Sequence, residues 1–169
     1  YPQLTHIKKI SILTGYAPDE LLSISTPPIH KRNLDIFYRS RPCDYWYGRL
    51  GQDKEGICEG VKKLAVEYGL KTDLSIREEN RLYGEAWINK LKSAKTVLAT
   101  ESGTSIWDYE GTIEQQTNAY LRKHSDANFE EVFQAVLKPY DGNFPYNAIS
   151  PRIFEAAALK AALVMFPGW

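Results

Sequence analysis

Ser150-Pro151-Arg152-Ile153-Phe154-Glu155-Ala156-Ala157-Ala158-Leu159-Lys160-Ala161-Ala162-Leu163-Val164-Met165-Phe166 reads as a polar turn, a helix with a glutamate near its start, and a short apolar strand. A helix N-terminus exposes unpaired backbone N–H groups and a partial positive charge, so the turn suits a nucleotide diphosphate. The Glu155 carboxylate, one turn in, can take a pair of ribose hydroxyls, or serve only the helix dipole.

Upstream, the same alternation recurs. Leu34-Asp35-Ile36-Phe37-Tyr38 is a buried-looking strand that delivers Arg39-Ser40-Arg41-Pro42 into a loop. Ile57, Val61, Leu64, Ala65 and Tyr68 fall at helical spacing over Lys54 to Tyr68, and Gly69 stops the helix. Leu70 to Ile76 predicts a second strand, Arg77 to Ser93 a helix, and Thr96 to Thr100 a third strand. This order predicts an α/β fold: a Rossmann-like parallel sheet with helices on both faces. The rhythm breaks over about 107–146, where helices at Thr112 to Lys123 and Asn128 to Leu137 predict a helical insertion within the single domain. Residues 1–33, with Pro18 and Pro27-Pro28, predict a lead-in or linker before a domain spanning 34–169.

Composition narrows the class. The chain has 169 residues, 43% of them hydrophobic, enough for one domain with a real core. Its 21 basic and 21 acidic residues balance, which argues against a nucleic-acid binder that neutralises many phosphates. Cys43 and Cys58 form no C-x-x-C pair, so the expectation is a reducing, cytoplasmic setting without a disulfide framework or zinc site. No apolar run reaches about 18 residues and no charged-then-apolar leader opens the chain, so neither a membrane span nor a signal peptide is expected. The only methionine is Met165, and the sequence reads as an excised piece whose domain is incomplete at its C-terminus.

In open α/β sheets ligands bind beyond the carboxyl ends of the strands. The candidates there are Arg39 and Arg41, which could clamp a diphosphate or line a solvated turn. Gly48-Arg49-Leu50-Gly51-Gln52-Asp53-Lys54 pairs glycines with Arg49 and Lys54 ahead of a helix. Glu101-Ser102-Gly103-Thr104-Ser105 offers Glu101, Ser102 and backbone amides for an anion nest, or a capped turn. The loop from Asn147 to Glu155 is the last. His6, His30 and His124 show no ligand spacing, so no metal is expected and no catalytic residue is assigned. Trp46, Trp87 and Trp107 read as core or interface anchors before sugar platforms.

Gly48-Arg49-Leu50 with Lys54, and Arg152-Ile153-Phe154-Glu155-Ala156 followed by a small apolar strand, resemble the C-terminal, donor-binding domain of GT-B glycosyltransferases. The grouping is glycosyl transferases group 1, in its spore-maturation-like branch. Where that family carries an earlier glutamate this chain has Asn147, an amide without the charge. The resemblance implies a nucleoside-diphosphate sugar as donor substrate, with Glu155 on the ribose and arginine or lysine on the diphosphate. It places the Ser150 to Arg152 turn near the phosphates and implies no cofactor. An N-terminal acceptor domain of the same chain would be the missing partner. The phosphate cations are Arg49 and Lys54, or Arg39 and Arg41. The rival expectation is a Rossmann-like module that has lost its ligand and binds a partner or serves a structural role. An oxidoreductase is disfavoured because no G-x-G-x-x-G turn follows a strand.

Overall fold

The computed structural model describes residues 5–10, 12–13, 15–144 and 146–166; parts of the lead-in at 1–4, 11 and 14, residue 145, and the last three residues lie outside the described residues. In chain order the strands are β1 (Leu34–Arg39), β2 (Thr72–Ser75), β3 (Ala94–Ala99), β4 (Ser102–Thr104), β5 (Tyr146–Ala148) and β6 (Ala162–Met165). The helices are α1 (Asp19–Leu22), α2 (Gly48–Glu67), α3 (Gly84–Ser93), α4 (Thr112–Lys123), α5 (Phe129–Val132) and α6 (Pro151–Ala158). Four strands form a parallel sheet in the order β2-β1-β3-β6, with Phe37 opposite Asp73 on one side and Val97 on the other, and Val97 opposite Leu163.

That order explains why both faces are covered. The chain steps from β1 outward to β2, then returns past β1 to β3 and continues to β6. Crossovers of one hand put their helix on opposite faces when the direction of travel reverses. Accordingly α2 packs Ile57 and Cys58 on Tyr38 and Leu98, while Leu91 of α3 and Ala156 of α6 pack on Phe37 and Val97. Successive residues of β1 and β3 thus feed opposite cores, as the two-residue strand period requires. Leu21 of α1 joins the α3–α6 core. Arg32, only 4% exposed, donates to the carbonyls of Pro27, Ala94 and Leu159 and ties the segment before β1 to the far end of α6.

The structure is therefore a Rossmann-like α/β domain with a helical insertion, and the differences from expectation are local. The helix after β2 starts only at Gly84, following a 3-10 turn at Glu78–Asn80. The second insertion helix is capped by Asn128 through a reciprocal box with Glu131, and continues as a π turn over Phe133–Leu137. Ile106, Ile113, Val132, Phe133 and Leu137 give the insertion its own small core. The stretch expected as loop after β3 holds β4, paired antiparallel with β5, so that Ser102 faces Ala148 and Thr104 faces Tyr146. No helix among the described residues is long and apolar enough to cross a membrane.

Candidate functional site

Reversal of direction between β1 and β3 leaves a crevice beyond their carboxyl ends, the usual seat of ligands in such sheets. A cavity of about 500 Å³ occupies it. Arg39, Ser40 and Arg41 come from the end of β1, Thr100 from the end of β3, Ser102 from the start of β4, and Lys54 from α2. Arg81, Leu82, Tyr83, Gly84 and Trp87 form the wall leading into α3, while Ser150, Pro151, Arg152 and Glu155 present the start of α6.

Two helix N-termini open onto this space. Neither Tyr83, ahead of α3, nor Ser150, ahead of α6, caps its helix with a side chain. Pro151 sits at the first helical position of α6, where its missing N–H costs nothing and its fixed φ favours the turn. Both helix ends face the cavity without a side-chain cap; α3 carries Glu85 in its first turn, whereas the first turn of α6 holds no acid.

The cations differ in how free they are. Arg39 pairs with Asp73 at 2.5 Å and also donates to the carbonyls of Asn80, Tyr38 and Asp73. It joins β1 to β2 at the edge of the cavity, with its guanidinium already engaged by protein acceptors. Burial alone would raise the Asp73 carboxyl, but hydrogen bonds from Lys90 and Arg39 outweigh it and hold it below the usual carboxylate range. Arg81 pairs with Glu78 at 2.7 Å and lies 5.1 Å from the Tyr83 ring centre. Lys54 donates to the Cys43 thiol at 3.4 Å and Arg41 is exposed, and neither forms an ion pair with a described residue.

Arg152 is the unusual one. Its Nη2 donates to the Arg39 carbonyl, and its guanidinium lies 5.0 Å from the Tyr38 ring centre and 5.5 Å from that of Trp87. Its Nε is shut off from solvent with no partner, and no carboxylate among the described residues pairs with it. Burial pushes its pKa down, while the Tyr38 hydroxyl and the Glu155 carboxylate oppose the shift. Beside it the fully buried Tyr38 hydroxyl makes no hydrogen bond of good geometry; burial raises this phenol, and Arg152, Ser40 and Thr100 oppose the shift. Glu155 is the only acid lining the cavity among the described residues. It is the fifth residue of α6, so it opens the second turn, not the first, and its Oε2 accepts the Trp87 indole N–H at 2.9 Å.

Of the residues singled out from sequence, the fold gathers Arg39, Arg41, Lys54, Ser102, Ser150, Arg152 and Glu155 around one cavity. Arg49, Glu101 and Asn147 stand outside its lining. Gly48-Arg49-Leu50 is the first turn of α2 and not a glycine loop, and that turn is already capped. The Asp141 carboxylate accepts from the Arg49 backbone N–H at 3.3 Å and from the Ser105 hydroxyl at 2.6 Å, and Ser105 Oγ accepts from Leu50 N–H. Gly48 has φ +75°, and a Cβ there would overlap Ser105 and the Asp141 carboxylate. An anion from solvent finds this terminus taken. The Arg49 side chain instead pairs with Glu130 at 3.2 Å and stacks 3.8 Å from the Phe133 ring centre, which fastens the insertion. Asn147 donates to Glu101 at 2.9 Å, so these two hold each other across the β4–β5 pair.

Sequence reasoning missed Arg81, Tyr83, Thr100 and Trp87. Trp87 does anchor the core, 5.4 Å from Phe37, but its nitrogen edge faces the site. Tyr83-Gly84 ahead of the α3 helix pattern, just past a strand end, was the available signal. No cluster of three or more His, Cys, Asp or Glu suited to a metal occurs among the described residues. No family model, curated protein or solved structure matches the chain.

Proposed function

We propose that the cavity holds the nucleoside diphosphate of a sugar donor, and that the chain is the donor-binding part of a glycosyltransferase. The observation that carries this reading is Arg152: a half-buried guanidinium with an orphaned Nε and no ion pair to any described residue, beside two helix N-termini that lack side-chain caps. Such a charge is costly unless an anion meets it, and a phosphate offers both the charge and the acceptors. Arg41 and Lys54, without ion-pair partners, extend the positive surface along the β1 side. Glu155 supplies the complementary feature, a single carboxylate able to accept from vicinal hydroxyls while the cations take the phosphates. The volume falls within the range of small-molecule sites.

In sugar transfer, charge develops on the departing diphosphate, and fixed cations with helix dipoles stabilise it without reorganising. Arg152, Arg41 and Lys54 take that role here. The acceptor is read by a separate N-terminal domain, and the setting is cytoplasmic, in keeping with the free thiols of Cys43 and Cys58. The test is calorimetric titration of the chain with UDP, GDP, ADP and their sugar conjugates, repeated on Glu155→Gln and Arg152→Met. One nucleotide should bind, and each substitution should weaken it by about tenfold or more, the size of a charge-assisted hydrogen bond. Absence of binding across the panel, or binding that ignores both substitutions, would overturn the reading.

A further inference from the structure

We propose that Trp87 is the positioning residue that aims Glu155 at the ribose, and thereby sets a preference for a ribonucleotide over its 2′-deoxy counterpart. This rests on the nucleotide reading above. The residues are 68 apart in sequence and meet because α3 and α6 lie side by side on one face of the sheet. A glutamate side chain on a helix has three rotatable bonds, and the plane of a free carboxylate wanders. Here the indole N–H fixes that plane by holding Oε2 at 2.9 Å, while Oε1 has no hydrogen bond to any described residue. The carboxylate is thus half-satisfied and oriented, with one oxygen left for a ligand hydroxyl.

Trp87 can do this because its ring is packed on two sides. Its ring packs 5.4 Å from Phe37, which is fully buried in β1, and the Arg152 guanidinium lies 5.5 Å from its centre. The same indole therefore touches both charged groups assigned to the ligand, and its own ring lines the cavity. A hydroxyl donated to an ionised, pre-aimed carboxylate is worth about tenfold to a hundredfold in affinity, and a ligand lacking it leaves the carboxylate unpaired. A freely rotating carboxylate would return part of that gain as lost rotamer entropy.

The experiment measures the affinities of UDP, GDP and ADP and of their 2′-deoxy forms for the chain and for Trp87→Phe, which keeps an aromatic ring against Phe37 and removes the donor. A second variant replaces Trp87 with β-(3-benzothienyl)alanine, whose sulfur stands where the N–H was while the ring outline is kept, so that the question survives if the phenylalanine variant folds poorly. The parent should prefer the ribonucleotide by about tenfold or more. Loss of the N–H should collapse that ratio to within about threefold by weakening the ribonucleotide more than its 2′-deoxy form, a selective loss that a purely structural role would not produce. If a ribonucleotide binds and the ratio persists in the variants, or both forms weaken equally, Trp87 does not aim Glu155. If none of the three ribonucleotides binds the parent, the functional reading falls and this inference with it.

Discussion

Arg32, buried, and Arg152, half-buried, provide the sharpest test of which charges serve the fold and which serve a ligand. Arg32 places three donors on the carbonyls of Pro27, Ala94 and Leu159, the last at the C-terminal end of α6, where the helix dipole favours a cation. Arg152 places one donor on a carbonyl, that of Arg39, and leaves Nε unpaired. Replacing Arg32 with Met orphans three carbonyls, each costing about 1–3 kcal/mol. Replacing Arg152 with Met orphans one and removes ring contacts to Tyr38 and Trp87 worth about 1 kcal/mol each, but also relieves the partial desolvation of an unpaired charge. Urea denaturation should therefore find Arg152→Met within about 2 kcal/mol of the parent, and Arg32→Met less stable than it by at least about 2 kcal/mol. Nucleotide titration should show the reverse order, with affinity lost by about tenfold to a hundredfold in Arg152→Met and unchanged in Arg32→Met. If Arg152→Met proves the more damaging to folding, or both variants bind alike, Arg152 is a structural residue and the site argument fails.

Other outcomes follow from single contacts. Gly103 has φ +137° and a Cβ there would overlap the Tyr146 carbonyl, so Gly103→Ala should cost about 3 kcal/mol or more by chemical denaturation; a cost under about 1 kcal/mol would show that β4 and β5 are not paired this way. Asp73 is held below its unfolded value, so its stabilisation is full above about pH 4 and fades as pH falls through the lower folded value. Asp73→Asn should thus be less stable than the parent at neutral pH, and the gap in urea midpoints should close on acidification toward about pH 2. Arg49→Met should lose little stability, since the Glu130 pair is exposed, and should leave nucleotide titrations unaltered.

What could be read from sequence was whatever depends on neighbours along the chain. The apolar runs at Leu34 and Thr96 announce buried parallel strands, and the spacing of Ile57, Val61 and Leu64 announces the helix that covers them. Direction-reversing order is harder, because it rests on which strand the third one joins. The site was legible where a strand end or helix start carries the residue itself, as at Arg41 and Arg152. It failed where a distant group had already claimed the position. Asp141 caps a turn 92 residues earlier, and Asp73 engages Arg39 across 34 residues. Local pattern shows a free arginine or an open glycine turn in both cases, and only the folded chain shows the carboxylate that has taken it.

Closure of the α2 terminus by Asp141 and Ser105 also acts on the molecule as a whole. The insertion cannot swing away from the sheet without stripping a helix end of its acceptors, so the helical arm is clasped by the same complementarity that other α/β proteins offer to a passing phosphate. The protein carries a permanent, covalently tethered counter-ion at that point. An anion from solvent meets a carboxylate and a hydroxyl there in place of free N–H groups, so the start of the first crossover helix is closed to it while the starts of α3 and α6 are not capped by a side chain.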